Sequence, residues 1–167
     1  MLTSQQERKV KMESERFAPF VLYTERIAKN IKRLEDKKME PYGLRSAHVM
    51  CILQLAKSEN GLSSAELASV CGVDKAFISR ITAELSDKEY IIRATGPKQG
   101  KYKTKFVLTE KGTEIFNIIQ SLLCEFIREV NSDIPTRKLE FFYEVLNLID
   151  VKLESITNKE IIKNAND

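Results

Sequence analysis

A chain of 167 residues with 43% hydrophobic and 31% charged residues can bury one ordinary core and is too apolar to remain disordered. Its formal net charge of +3 is diagnostic of nothing by itself; no apolar run approaches the ~18 residues of a membrane span, and the opening Met1-Leu-Thr-Ser-Gln-Gln-Glu-Arg lacks the apolar stretch of a secretory signal. Three widely spaced cysteines, Cys51, Cys71 and Cys124, make neither a C-x-x-C pair nor a disulfide framework, so a reducing, cytoplasmic setting without a membrane partner is expected.

The first pattern along the chain is helical. Phe17, Phe20, Val21, Thr24, Ile27, Ala28, Ile31 and Leu34 recur at steps of three and four, with Arg26, Lys29, Lys32 and Arg33 off the stripe. A helix over about 10–36 is predicted. The stretch 35–45, with Pro41 and Gly43, reads as a connection. The apolar run Ala47-His-Val-Met-Cys-Ile-Leu-Gln-Leu-Ala56 predicts a helix buried all round, with Ser46 as N-cap and Asn60-Gly61 as stop. Ser64-Ala-Glu-Leu-Ala-Ser-Val-Cys71 is a short helix closed by Gly72, and Asp74 caps a second helix reaching about Lys88.

There the period changes. Tyr90-Ile-Ile-Arg-Ala-Thr95 is strand-like, Gly96-Pro97-Lys-Gln-Gly100 is a turn, and Tyr102-Lys-Thr-Lys-Phe-Val-Leu108 alternates like a returning strand. Thr109 caps a helix carrying Ile115, Ile118, Ile119, Leu122, Leu123, Phe126, Ile127 and Val130. Pro135 opens a last one carrying Leu139, Phe141, Phe142, Val145, Leu146, Leu148, Ile149, Leu153 and Ile156. Charge is uneven: residues 1–45 hold 11 Lys/Arg against 7 Asp/Glu, residues 131–167 hold 5 against 7, and Arg93, Lys98, Lys101, Lys103 and Lys105 stand in the hairpin with no acid among them.

The chemistry concentrates around Gly72. Ala68 is small where a second helix must cross close by, Gly72 suits a left-handed turn residue, and Leu67, Cys71, Val73, Ile78 and Ile81 supply apolar contacts that hold two helices at the angle of a helix-turn-helix. The outward face of the second helix then presents Lys75, Ala76, Phe77, Ser79, Arg80, Thr82 and Ala83. A helix fits the major groove, and Arg80 suits a bidentate contact with guanine. A hairpin after such a helix is a wing, whose Lys98, Lys101 and Lys103 can reach phosphates or a neighbouring minor groove. Double-stranded DNA is therefore the expected partner, through Lys75, Ala76, Phe77, Ser79, Arg80, Thr82, Lys98, Lys101 and Lys103.

With these residues in view, the chain resembles the MarR family of bacterial transcription regulators. The resemblance is carried by Gly61-Leu-Ser-Ser-Ala-Glu-Leu-Ala68, by Val73-Asp-Lys-Ala-Phe-Ile-Ser-Arg80, by Leu85 with Tyr90-Ile91 and Arg93, and by Leu108-Thr-Glu-Lys-Gly112. It implies a fold that is mainly α with a small β-hairpin: one domain over 1–167 with a winged helix-turn-helix core at about 46–112, flanked by dimerisation helices at about 10–36 and 110–157. It implies a homodimeric regulator, a repressor at a palindromic operator, released by a small-molecule effector or another signal. Phe17, Tyr42 and His48 are then candidates to line a ligand cavity, with core packing as the competing reading for each. Two departures stand out. Glu89 occupies a position where the family often has Gly, and Gly100-Lys101-Tyr102 stands where its wing usually carries Asp-x-Arg.

His48 is the only histidine, so a metal site is not expected; no nucleophile set or phosphate-binding Gly-rich loop suggests catalysis, and no cofactor is expected. Cys71 reads as core, and Cys51 and Cys124, on apolar helices, also read as packing; the resemblance adds a redox role as the competing reading, since some members of that family sense oxidants by cysteine. The competing function is a winged-helix protein-interaction module without DNA binding, against which the basic hairpin argues.

Overall fold

The computed structural model of the chain describes residues 4–94 and 104–164; for 4–14, 16 and 161–164 it describes the backbone alone. The described residues fall into two compact units, one through Gln120 and one from Ser121. The first contains helix α1 (Ser4–Met39), a 3-10 turn (Glu40–Tyr42), α2 (Ser46–Ala56), strand β1 (Leu62–Ser63), α3 (Ser64–Cys71), α4 (Lys75–Asp87), β2 (Ile91–Arg93), β3 (Lys105–Leu108) and the start of α5 (Glu110–Asn131). The second contains the rest of α5 and α6 (Thr136–Asn164). The described residues are mainly helical with one small three-stranded sheet in the first unit, as the winged-helix reading requires. No helix among the described residues is long and apolar enough to cross a membrane.

Helix α1 runs past the expected end at 36. The step from Leu34 to the next apolar residue, Met39, breaks the stripe and makes 35–39 look like connection. Met39 is nonetheless buried, and its carbonyl accepts the Leu44 N–H at 3.1 Å. Pro41 disfavours helical backbone in the residue before it, and Gly43 reverses the chain at φ 63°. The start of α2 also differs from expectation. Arg45, in extended backbone, is the N-cap, and Ser46 is the first helical residue. The Ser46 N–H donates to Asp36 Oδ1 at 2.7 Å, so the second helix is capped by a carboxylate from the first. At its other end α2 stops at Ala56, ahead of Asn60-Gly61.

The hairpin of β2 and β3 is joined by a third strand that no periodicity announced. β1 pairs antiparallel with β3 (Leu62 with Phe106, Ser63 with Lys105), giving the order β1-β3-β2. Gly61 makes this possible: a Cβ there would stand 2.3 Å from the Phe106 carbonyl oxygen. Arg93 pairs with Phe106 on the other side of β3.

The core of the first unit gathers Leu44, Val49, Cys51 and Ile52 with Leu67, Ile78, Leu85 and Ile91 from the helix-turn-helix and β2, and Ile115 and Ile119 from α5. Burial of a large aliphatic side chain contributes roughly 1.5–3 kcal/mol, and this cluster holds α2, α3, α4 and the sheet together. In the second unit α6 shows Phe141, Phe142, Tyr143, Leu148 and Ile156 to solvent, and α1 likewise exposes Phe17, Leu22, Tyr23 and Ile27.

Candidate nucleic-acid interface

Helix α3 opens with a reciprocal capping box. The Glu66 N–H donates to Ser63 Oγ at 3.3 Å, while Glu66 Oε2 accepts the Ser63 N–H at 2.7 Å. The helix closes on Gly72 at φ 63° with open space where a Cβ would stand, so this glycine is needed for conformation and not for close approach. The turn delivers Asp74, whose Oδ1 accepts the Phe77 N–H at 2.8 Å and caps α4. Leu67 and Ile78 are fully buried and Ile81 nearly so, whereas Cys71 and Val73 are half-buried.

The face of α4 turned to solvent carries Lys75, Ala76, Ser79, Arg80 and Ala83, with Phe77 half-buried at its edge. The Arg80 guanidinium lies 5.8 Å from the centre of the Phe77 ring, so the arginine rests against an aromatic platform. Thr82 corrects the expected set. It is only 3% exposed, and its hydroxyl donates to the Ile78 carbonyl at 2.9 Å, inside the helix's own backbone. It cannot meet a base edge. Positions 78, 81, 82 and 85 form one inward stripe, and a threonine can join that stripe because the carbonyl four residues back satisfies its hydroxyl.

The far end of α4 is held by the first turn of α5. Glu89 takes φ 63°, in the left-handed region that favours glycine. Thr109 Oγ1 donates to the Glu89 carbonyl at 2.7 Å and accepts the Gly112 N–H at 2.9 Å, which caps α5 as expected. Lys111 Nζ donates to the Lys88 carbonyl at 2.8 Å and lies 5.1 Å from the centre of the Tyr90 ring. Sequence reading found Thr109 as a cap but missed this second duty and missed Lys111, since nothing local marks a lysine that serves a carbonyl 23 residues away.

On the wing, Arg93 is exposed on β2 and Lys105 half-buried on β3. Lys98, Lys101 and Lys103 lie outside the described residues, as does Tyr102.

The three candidate ligand residues do not behave alike. Phe17 is 61% exposed on α1, Tyr42 is partly exposed in the 3-10 turn, and His48 is buried with both ring nitrogens engaged. For His48 the burial and the two bonds agree with the competing reading of a packed core residue. An open depression of about 690 Å³ does exist in the first unit, lined by Arg33, Asp36, Lys37, Glu40, Gly43, Leu44 and Arg45; none of the three lines it. No group of three or more His, Cys, Asp or Glu suited to a metal occurs among the described residues. Cys51 and Cys71, far apart in sequence, come near enough for each thiol to influence the other. Burial, with Cys71 beside it, pushes the Cys51 thiol up to about 12, and burial raises Cys71 as well. Both are thus weak nucleophiles at neutral pH. Cys124 is exposed.

Residues 42–101 match the model of the MarR family. The fold is shared with solved structures along most of the chain. A MarR family transcription regulator is 17% identical, with 90% of this chain and 98% of that one covered and a TM-score of 0.75. A MarR transcriptional regulator from Methanosarcina mazei Go1 is 22% identical, covering 85% and 99% at a TM-score of 0.71. The S. aureus MepR–DNA complex is 18% identical, covering 78% and 94% at a TM-score of 0.69.

Proposed function

For a chain that matches the MarR family across its helix-turn-helix and has that family's fold, we propose sequence-specific binding of double-stranded DNA as a transcription regulator. It acts by binding and not by catalysis, in the cytoplasm, as a homodimer on a palindromic operator. We propose further that it is a repressor, released by a small molecule or another signal.

One observation carries the reading: the solvent face of α4 is rigidly capped by Asp74 and presents Lys75, Ser79 and Arg80 together, with the Arg80 guanidinium braced on Phe77. A planar, pre-positioned guanidinium on a helix of that kind suits the O6/N7 edge of guanine. Arg93 and the wing lysines add phosphate contacts that position the helix. The fold of the S. aureus MepR–DNA complex supports the same reading by analogy.

The dimer reading rests on the apolar side chains left in solvent. Phe141 on α6 is 66% exposed and Phe17 on α1 is nearly as open. Such faces are covered in a stable soluble protein, and a second copy presenting the same faces covers them with two-fold symmetry. A stable monomer at micromolar concentration in sedimentation would remove this part of the proposal.

The DNA reading is tested by Arg80→Ala, measured on a duplex selected from a random pool and on a scrambled duplex. Specific binding should weaken by roughly 1–3 kcal/mol, with far less change on the scrambled duplex. Equal losses on both would reduce Arg80 to a phosphate contact. No selected sequence at all would favour the protein-interaction reading.

A further inference from the structure

We propose that His48 is a positioning residue for the recognition helix, bracing α4 against α2 through a single hydrogen bond to Glu84. The inference rests on the DNA-binding reading and extends it to a residue that touches no DNA.

The proton assignment follows from the bonding. His48 Nδ1 lies 2.9 Å from the Arg45 backbone N–H, which can only donate, so Nδ1 accepts. The imidazole proton must then sit on Nε2. That nitrogen is 2.9 Å from Glu84 Oε2, and its N–H donates to the carboxylate. One ring thus caps the N-terminus of its own helix and reaches across to another element 36 residues away. Because His48 is 2% exposed, neither bond is readily exchanged for one to solvent.

Glu84 is well placed to transmit this constraint. It stands four residues after Arg80 on α4, one helical turn along the same side, and its side chain is half in solvent. A leucine at 48 would fill space but could not bond to Glu84, leaving apolar packing alone to set the rotation of α4. A bonded imidazole fixes both the rotation and the height of the turn that follows the reading face. A hydrogen bond from a buried, fixed donor is directional, so small rotations of α4 are opposed whether or not the acceptor is charged.

The full chain is tested with His48→Asn, Glu84→Ala, the double variant and Glu84→Gln. Each is measured on the selected and the scrambled duplex, with thermal unfolding alongside. Asparagine keeps an acceptor close to the Nδ1 position and removes the Nε2 donor; glutamine at 84 keeps the acceptor and removes the charge. The expected result is an about tenfold loss of preference for the selected duplex in His48→Asn and in Glu84→Ala, with binding to the scrambled duplex held or slightly raised. The double variant should lose no more than either single one, because both remove the same bond, and Glu84→Gln should keep the preference. Unchanged preference in both single variants overturns the brace while leaving DNA binding in place. Additive losses in the double variant, or equal losses on both duplexes, also overturn it. A parent chain that prefers no duplex overturns the DNA reading and the brace with it.

Discussion

Replacing Gly112 by Ala gives the sharpest test of how the recognition helix is seated. Helix propensity alone predicts a gain: alanine is better than glycine within a helix by up to about 1 kcal/mol. The packing predicts the opposite. A Cβ at 112 would stand 1.9 Å from the Tyr90 carbonyl oxygen and 3.0 Å from its carbon. Restoring ordinary contact requires the junction to open by roughly 1–2 Å. The same carbonyl accepts the Thr109 N–H at 3.1 Å, and the Thr109 hydroxyl beside it donates to the Glu89 carbonyl at 2.7 Å, so opening the junction strains both bonds. Overpacking costs roughly 1–3 kcal/mol and each weakened hydrogen bond about 1 kcal/mol, leaving a net loss of about 2–4 kcal/mol after the propensity gain. The midpoint of thermal unfolding should fall by roughly 5–15 °C, with the urea m-value unchanged. Gly72→Ala is the control. Its Cβ meets nothing within 4 Å, and the only cost is left-handed backbone, about 1–2 kcal/mol. A Gly112→Ala protein as stable as its parent would refute the close seating of α5 on Tyr90, the residue that leads into β2.

Further outcomes follow from single positions. Glu89→Gly should stabilise the chain by about 1 kcal/mol in urea titration, because φ 63° strains any residue with a Cβ and the 3.7 Å pair with Lys111 is exposed and weak. Thiol labelling of the native protein should modify Cys124 first, Cys71 slowly and Cys51 only on unfolding. Since the folded Cys51 thiol titrates near 12, above its unfolded value, its contribution to stability is complete below about pH 8.5 and fades as pH rises toward 12; Cys51→Ala should flatten that alkaline limb of the stability curve. Changing Lys98, Lys101 and Lys103 together to Ala should weaken binding to every duplex without changing the selected sequence. The salt slope should fall by about one unit for each phosphate that the wing no longer neutralises. A changed base preference would mean that the wing reads sequence.

The amino-acid sequence by itself determined what is local. Asp74, Thr109 and Gly72 announce a cap, a cap and a left-handed turn, because each acts on backbone within three residues of itself. The change of period after Lys88 marked the hairpin. What lay beyond local reach was decided by packing. Strand β1 is two residues long, too short to carry a period, and exists because β3 offers a free edge beside Gly61. Thr82 has polar chemistry on an inward stripe, and only the crowding around α4 decides that its hydroxyl turns to the Ile78 carbonyl. His48 with Glu84, Lys111 with Lys88, and Cys51 with Cys71 are pairs separated by 20 to 36 positions. No spacing rule links such residues. They meet because the burial of Leu67, Ile78, Leu85 and Ile91 brings α2, α3, α4 and the sheet onto one core, and hydrogen bonds form where that core happens to bring donors and acceptors together.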